Sequence, residues 1–251
     1  MTDPQHALHI SAYRFVGLDD TLALRHQIAG QATALALKGT VLIAEEGINL
    51  FLAGLPARVG EFLAWLQFDA RFAGLTPIET RSAAPPFAKL QVKVKREIIR
   101  MDEPTVRPDA GRASAVDAIT LARWLDAGRD DAGRPVVLRD TRHAFEVDLG
   151  RFRGALDWRI ARFGDFPAAA QAHLPELQDK TVVSYCTGGI RCEKAAIYLQ
   201  RAGAANVLQL EGGILRYFET VGSRHFEGDC FVFDHRRTLG AALAAGPDAA
   251  G

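Results

Sequence analysis

The chain has 251 residues, of which 48% are hydrophobic and 24% are charged, and its 30 basic side chains balance its 30 acidic ones. These are the values of an ordinary globular protein, and they exclude a disordered, collagen-like or disulfide-scaffold chain. The zero net charge excludes an overall basic field of the kind that attracts nucleic acid, but it leaves room for a local basic patch. At about 150 residues per domain, the length predicts two modest domains.

The first hundred residues predict an α+β domain. Apolar alternation indicates strands, and apolar positions at helical spacing indicate two helices. The strands are predicted over 7–17, 40–46, 48–53, 76–82 and 90–100, and the helices over 19–37 and 57–68. Gly47 separates two of the strands and predicts a hairpin. The order β-α-β-β-α-β is that of a ferredoxin-like fold, to which we assign residues 1–101.

The second half of the chain predicts an α/β domain with a parallel sheet. Residues 102–116 contain two Pro and one Gly and are interpreted as a linker. Strands then alternate with helices, which favours a parallel sheet covered on both faces. We assign residues 117–225 to this domain and 226–251 to a C-terminal extension. The helices are predicted over 117–127, 163–177 and 193–202, and the strands over 136–140, 181–185 and 206–210.

Targeting and redox signals favour a cytoplasmic protein. The N-terminus shows no secretory signal, and no apolar run approaches the ~20 residues that span a bilayer. The three cysteines, Cys186, Cys192 and Cys230, are too few and odd in number for a disulfide framework. They also argue against a structural zinc site, which usually needs four paired ligands. We therefore predict no membrane segment and no metal.

A loop between a predicted strand and a predicted helix carries the chemistry. Cys186 ends a buried-type strand, and a helix is expected to begin near Cys192. Open α/β sheets bind ligands at this carboxyl edge, and glycine lets backbone N–H groups converge on one point. The helix dipole and the arginine add positive potential, which favours a thiolate nucleophile at Cys186. The loop residues are Thr187, Gly188, Gly189, Ile190 and Arg191.

Five separated motifs carry a family resemblance. A strand-Cys-loop-Arg-helix segment with an Asp ending an earlier strand resembles the rhodanese domain, whose loop cysteine carries a persulfide. The motifs are AEEGINL (44–50), DTRHAFEVDLGRFRGA (140–155), CTGGIRCEKA (186–195), LEGGI (210–214) and CFVFDHR (230–236). With these motifs, the chain from about residue 8 to about 238 resembles the tRNA uridine(34) hydroxylase family.

The resemblance implies a fold and an activity. The fold is an acylphosphatase-like, ferredoxin-like domain followed by a rhodanese domain. The activity is oxygen-dependent hydroxylation of the wobble uridine of tRNA to 5-hydroxyuridine, with the functional cysteine at Cys186. Molecular oxygen would be the co-substrate and tRNA the partner, and no obligate protein partner is indicated. Oxygen insertion normally calls for a metal or flavin, but the sequence shows no motif for either, so the cofactor is unknown.

Several residues around the loop are candidates for supporting roles. Asp140 and Arg142 either orient the loop and contact substrate, or form a pair that braces adjacent loops. Glu146 occupies an acidic position that braces rhodanese-like domains. Cys192 is either a resolving thiol that closes a disulfide with Cys186 or a small residue in the first helical turn. We expect Gly212 and Gly213, in the LEGGI turn, to serve close backbone packing.

Two basic runs are candidates for tRNA contact. Between residues 81 and 100 six basic residues stand against one acidic residue, and a second basic run lies at 151–162. A basic strand face suits phosphates, although a solvated surface is the simpler interpretation of such a run. The candidate contacts are Lys89, Lys93, Lys95, Arg96, Arg151 and Arg153. Base chemistry also needs a stacking partner, for which the candidates are Tyr185, Trp158 and Phe87.

Three other functions compete with the hydroxylase. A rhodanese-type sulfurtransferase, moving sulfane sulfur through a Cys186 persulfide, fits the loop chemistry fully but leaves the N-terminal domain and the basic runs unexplained. A phosphatase is disfavoured, because such enzymes use Cys-x5-Arg, whereas here Cys186 and Arg191 are separated by four residues. A redox sensor without turnover would use the Cys186–Cys192 pair.

Overall fold

The computed structural model describes residues 7–243, which form two compact units. The boundary between the units falls between Ile99 and Arg100, and the short segment Asp234–Arg236 groups with the first unit. Within the described residues no helix is long and apolar enough to cross a bilayer. Each unit has its own main sheet, and the two main sheets differ in type. Two small two-stranded sheets also form in the described residues, one pairing Gly150–Phe152 with Phe226–Gly228 and the other pairing Cys230–Phe231 with Thr238–Leu239.

The first unit is ferredoxin-like, as predicted. Its sheet has the order β4-β1-β3-β2-β5; β1 pairs antiparallel with β3 and β4, and β2 runs antiparallel to β3 and parallel to β5. The helices cover one face of the sheet through apolar side chains such as Ile28 and Phe62. The elements are β1 (Ala7–Phe15), α1 (Thr21–Ala34), β2 (Lys38–Ala44), β3 (Gly47–Gly54), α2 (Pro56–Phe68), β4 (Ile78–Ser82) and β5 (Leu90–Val94).

Strand β5 is shorter than the predicted 90–100. It ends at Val94. Beyond that point, side chains and not a neighbouring strand supply hydrogen bonds to the backbone of Ile98. The N–H of Ile98 donates to Oε1 of Glu46 at 2.7 Å, and Nδ2 of Asn49 donates to the Ile98 carbonyl oxygen at 3.3 Å. These long-range partners carry no periodic signal in the sequence, so the end of the strand could not be read from it.

The second unit has the predicted parallel sheet, in the order β6-β10-β9-β7. All five residues of β9 are buried, since the strand lies inside the sheet and both of its faces are covered. The elements are β6 (Ala115–Val116), α3 (Ala118–Ala127), β7 (Val136–Asp140), α4 (Ala144–Val147), β8 (Gly150–Phe152), α5 (Phe166–His173), β9 (Thr181–Tyr185), α6 (Ile190–Arg201), β10 (Asn206–Leu210), α7 (Gly213–Val221), β11 (Phe226–Gly228), β12 (Cys230–Phe231) and β13 (Thr238–Leu239).

Two predicted helices have different bounds in the structure. The helix predicted over 163–177 is split into α5 and two flanking 3₁₀ turns, because Pro167 and Pro175 each begin a new helical segment. The helix predicted over 193–202 begins earlier, at Ile190. Gly189 is the residue before the helix, and its φ of +98° is a left-handed conformation that glycine adopts readily. Arg191 therefore lies in the first helical turn.

Candidate active site

Cys186 lies at the carboxyl edge of the parallel sheet, directly after β9. Its side chain is only 1% exposed. The backbone N–H of Gly189 donates to its sulfur at 3.1 Å, so the loop from Cys186 to Gly189 closes around the thiol. A buried sulfur with an oriented N–H donor is the arrangement that the strand-loop-helix pattern predicted. The structure therefore places the Cys186 sulfur inside the turn of the predicted loop.

The surroundings of Cys186 favour its thiolate. Burial alone would raise its pKa, but the Cys192 thiol donates a hydrogen bond to it and the Arg191 guanidinium adds positive charge. Together with the N–H groups of Arg191 and Gly189, these contacts lower the pKa of Cys186 to about 6. A thiol with this pKa is ionised at neutral pH, and the thiolate is the nucleophilic form.

The other two cysteines stay protonated. Burial, and then the hydrogen bond to Cys186, raises the pKa of Cys192 well above its ordinary value. Cys192 also lies 3.7 Å from Oγ1 of Thr141. Burial raises the pKa of Cys230 to about 12. The three thiols are free in the structure, so Cys186 and Cys192 are not joined by a disulfide here.

A buried ion pair supports the start of α6. The two guanidinium nitrogens of Arg191 donate to the two carboxylate oxygens of Glu146 at 2.6 and 2.8 Å. Glu146 also accepts from the N–H of His143 at 3.1 Å. The structure thus shows the bracing role that the resemblance gave to Glu146. The pair holds the terminal nitrogens of the Arg191 guanidinium against Glu146.

Asp140 and Arg142 form a second buried pair. Both side chains are fully buried, and an Arg142 nitrogen donates to Asp140 at 2.7 Å. The same arginine donates to the Gly150 carbonyl oxygen at 2.7 Å. The pair therefore ties the end of β7 to the start of β8. Of the two interpretations, bracing is the one that this geometry shows, since a fully buried guanidinium offers no surface to a substrate.

The LEGGI turn packs against the back of the cysteine loop. The N–H groups of Ile214 and Leu215 donate to the carbonyl oxygens of Cys186 and Thr187 at 2.9 and 3.1 Å. Gly213 has a φ of +63°, and a Cβ there would lie 2.4 Å from the Cys186 oxygen. The expected close backbone packing is confirmed. The start of α7 uses its free N–H groups to hold the loop.

The candidate tRNA contacts lie on both units. Lys89, Lys93, Lys95 and Arg96 are exposed on the first unit, where β5 turns the half-buried Val92 toward the core. On the second unit, Arg151 and Arg153 are exposed on and after β8. Arg153 lies 3.6 Å from Glu227.

The candidate stacking residues need a correction. Tyr185 is fully buried in β9, so the suggestion that it stacks on a base is wrong. Trp158 is half-buried, and its ring contacts the Arg139 guanidinium at 3.8 Å and stacks with His173 at 5.2 Å. Phe87 is half-buried in the first unit. Sequence reasoning missed three rings beside the loop, although the quoted motifs contain all of them: Phe145, Phe231 and Phe233.

Within residues 7–243, no three His, Cys, Asp or Glu side chains are grouped closely enough to hold a metal ion.

Two family models match the chain: the UPF0176 acylphosphatase like domain over residues 7–98 and the rhodanese-like domain over residues 121–220. These matches agree with the two folds seen in the structure.

Full-length relatives share one name. The chain is 59% identical over 241 residues to the tRNA uridine(34) hydroxylase of Variovorax paradoxus, covering 96% of this chain and 92% of that protein. It is 59% identical to the tRNA uridine(34) hydroxylase of Bordetella petrii, with 94% of each chain covered. For that of Bordetella pertussis the identity is 60%, with 94% and 97% covered. Similarity at this level over nearly the whole length shows that the chain belongs to the tRNA uridine(34) hydroxylase family.

Proposed function

We propose that this protein hydroxylates the wobble uridine of tRNA, at position 34, to 5-hydroxyuridine, with molecular oxygen as the oxidant and Cys186 as the reactive residue. Family membership supports the substrate and the reaction. The observation that carries the role of Cys186 is its hydrogen-bonded, low-pKa thiol at the edge of the sheet. In the overall reaction, one oxygen atom enters the C5–H bond and the other leaves as water, so each turnover consumes two electrons and two protons from a reductant.

The proposal is tested by nucleoside mass spectrometry. We expect tRNA from cells that lack this gene to lose 5-hydroxyuridine and its derivatives. Wild-type protein should restore them, and Cys186→Ala should not. Purified protein supplied with oxygen-18 gas should give a nucleoside that is heavier by one labelled atom. Unlabelled product would contradict the oxygen dependence, and restoration by Cys186→Ala would contradict the role of the cysteine.

We also propose that the exposed basic residues contact the tRNA backbone. Exposed Lys and Arg bind phosphates mainly through charge, so loss of a contact lowers the salt dependence of binding. Lys93→Glu with Lys95→Glu tests the first unit, and Arg151→Glu with Arg153→Glu tests the second. Each double variant should weaken tRNA binding at low salt. If a double variant keeps wild-type affinity and salt dependence, the basic residues changed in it do not contact the tRNA.

A second candidate function is sulfur transfer through a Cys186 persulfide. The specific observation in its favour is the burial of the Cys186 sulfur. A bound sulfane sulfur would carry the reactive atom outward by one S–S bond, about 2 Å. When the Cys186 thiolate attacks the sulfane sulfur of thiosulfate, the S–S bond of thiosulfate breaks and sulfite leaves. Thiosulfate should then add one sulfur atom to the mass of the wild type but not of Cys186→Ala. Sulfur transfer lost in that variant, with 5-hydroxyuridine unchanged, would favour this function over hydroxylation.

A further inference from the structure

Four aromatic rings form a continuous row beside the cysteine loop. His143 and Phe145 stack with centroids 5.6 Å apart and planes 25° apart. Phe145 meets Phe231 edge to face at 5.1 Å, and Phe231 meets Phe233 in the same way at 5.0 Å. We call this set, His143–Phe145–Phe231–Phe233, the aromatic row. The contacts between neighbouring rings hold them in fixed orientations.

Much of the aromatic row faces solvent. Phe145 is 50% exposed and Phe233 is 53% exposed, whereas Phe152 and Phe166 in the same unit are fully buried. A single exposed apolar side chain is ordinary, but a contiguous exposed set marks a binding surface. Since the rings are rigid, they could accept a flat ligand with little loss of side-chain entropy.

The aromatic row is tied to the cysteine loop at two points. Oγ1 of Thr187, the residue after Cys186, donates to the Phe231 carbonyl oxygen at 3.3 Å. On the other side, Glu146 directly follows Phe145 and holds Arg191 through two hydrogen bonds. The rings therefore border the reactive site, and a ligand on them would lie beside a group bound at Cys186.

A strand that packs against the elements of the aromatic row carries a positive charge. Arg151 is exposed on β8, which packs against both α4 and β12, the elements that carry Phe145 and Phe231. Two carboxylates near Arg151 also have other arginine partners. Asp148 is paired with Arg159, and Glu227, which lies opposite Arg151 in the β8–β11 ladder, is 3.6 Å from Arg153. Proteins bind unpaired nucleotides by stacking the base on an aromatic ring and placing a basic side chain near the phosphate. Exposed rings and an arginine on adjoining elements supply both.

We propose that the aromatic row stacks an unpaired anticodon-loop base adjacent to the target uridine, with Arg151 beside its phosphate. This inference rests on the proposed function and deepens it, because it assigns the surface that presents the anticodon loop to Cys186. Phe145 and Phe233 supply the stacking faces. Phe231 lies between them and joins the row to the loop.

The test uses an anticodon stem-loop RNA with 2-aminopurine next to the wobble uridine, mixed with the full-length protein. Stacking on the row should quench the fluorescence of the 2-aminopurine. Phe145→Ala and Phe233→Ala should each weaken binding by about tenfold, the scale of one lost base stack, and reduce the quenching. Phe145→Tyr should restore both. The matched control is Phe68→Ala, which removes a ring that is 93% exposed on the first unit, and it should change neither.

The outcomes separate this inference from the function on which it rests. If the wild type neither binds nor hydroxylates tRNA, the proposed function fails. If the wild type hydroxylates tRNA while both alanine variants keep wild-type affinity and quenching, only the aromatic row is rejected. Sedimentation velocity supplies a further check, because a change of oligomeric state in the alanine variants would show that the row contacts a second copy, which also rejects it.

Discussion

Two neighbouring strands of the second unit end in the same local pattern, yet only one of them leads into the candidate active site. Strand β9 leads through Gly188-Gly189 into α6, and β10 leads through Gly212-Gly213 into α7. At the first turn, the free N–H of Gly189 points at the Cys186 sulfur. At the second turn, the free N–H groups of α7 donate to carbonyl oxygens of the first loop.

The comparison shows that a helix N-terminus is a site only when its donors are left for a ligand. Every helix begins with N–H groups that lack partners within the helix. In α7 those donors are consumed in holding the cysteine loop, whereas in α6 they remain available to a negative sulfur. The turn at Gly212-Gly213 thus holds the cysteine loop in position through hydrogen bonds.

The largest expected effect comes from adding a methyl group between the two turns. In Gly213→Ala, the new Cβ would lie 2.4 Å from the Cys186 carbonyl oxygen, so the cysteine loop must move. We expect activity per folded molecule to fall by at least about a hundredfold, since small misplacements of reacting groups cost this much. Activity is measured on tRNA, with the folded fraction taken from circular dichroism.

The control for this variant is Gly128→Ala. Gly128 has a nearly identical φ of +67°, but nothing lies within 4 Å of its added Cβ. It should cost about 1 kcal/mol of stability through backbone strain alone and leave activity unchanged. Equal activity losses in the two variants would show that backbone strain, and not displacement of the loop, explains the result.

A second large effect should follow from breaking the ion pair that supports the α6 turn. Glu146→Gln leaves the buried Arg191 without a counter-charge, which should lower the free energy of unfolding by about 3–5 kcal/mol. Urea unfolding at pH 7 measures it. Glu227→Gln is the control, because its pair with Arg153 is exposed and worth at most about 1 kcal/mol. Matching losses in both variants would contradict a special role for the buried pair.

The Glu146 pair also predicts a pH dependence. Burial alone would raise the pKa of Glu146, but the charge of Arg191 and its hydrogen bonds hold that pKa well below the usual range. A carboxylate with a lowered pKa stabilises the fold above its unfolded pKa of about 4.5 and loses that contribution as the pH falls further. The stability difference between wild type and Glu146→Gln should therefore shrink below pH ~4. A constant difference would contradict the assignment.

The smallest effect concerns the donor that Cys192 supplies to the α6 turn. Cys192→Ala removes a hydrogen bond to the Cys186 thiolate, so the pKa of Cys186 should rise and its alkylation at pH 6 should slow by about threefold to tenfold. Cys192→Ser keeps a donor and should stay close to wild type. Unchanged alkylation in the alanine variant would leave Cys192 with a packing role only.

The cysteine loop was predictable because its signal is local. A buried strand, two glycines and a helix start stand within ten residues, and each has a physical meaning on its own. The ferredoxin-like order of the first unit was predictable for the same reason. Even the burial of Tyr185 had a signal, since an apolar strand such as Thr181–Tyr185 is covered on both faces in a parallel sheet.

The supporting contacts were not predictable from local patterns, because they join distant parts of the chain. Glu146 and Arg191 are 45 positions apart, and Thr187 and Phe231 are 44 apart. The aromatic row joins a short helix and a late hairpin, neither of which has enough residues to show a period. Family resemblance supplied the bracing role of Glu146, and nothing in the sequence supplied the row.

The most direct test of the account is a pH titration of the Cys186 thiolate by its ultraviolet absorbance, taken as the difference between wild type and Cys186→Ala. This readout does not depend on access of a reagent to the buried sulfur. The account predicts a midpoint near pH 6, the pKa set by the surrounding donors and Arg191. A midpoint at or above that of an ordinary thiol, about 8.5, would contradict it.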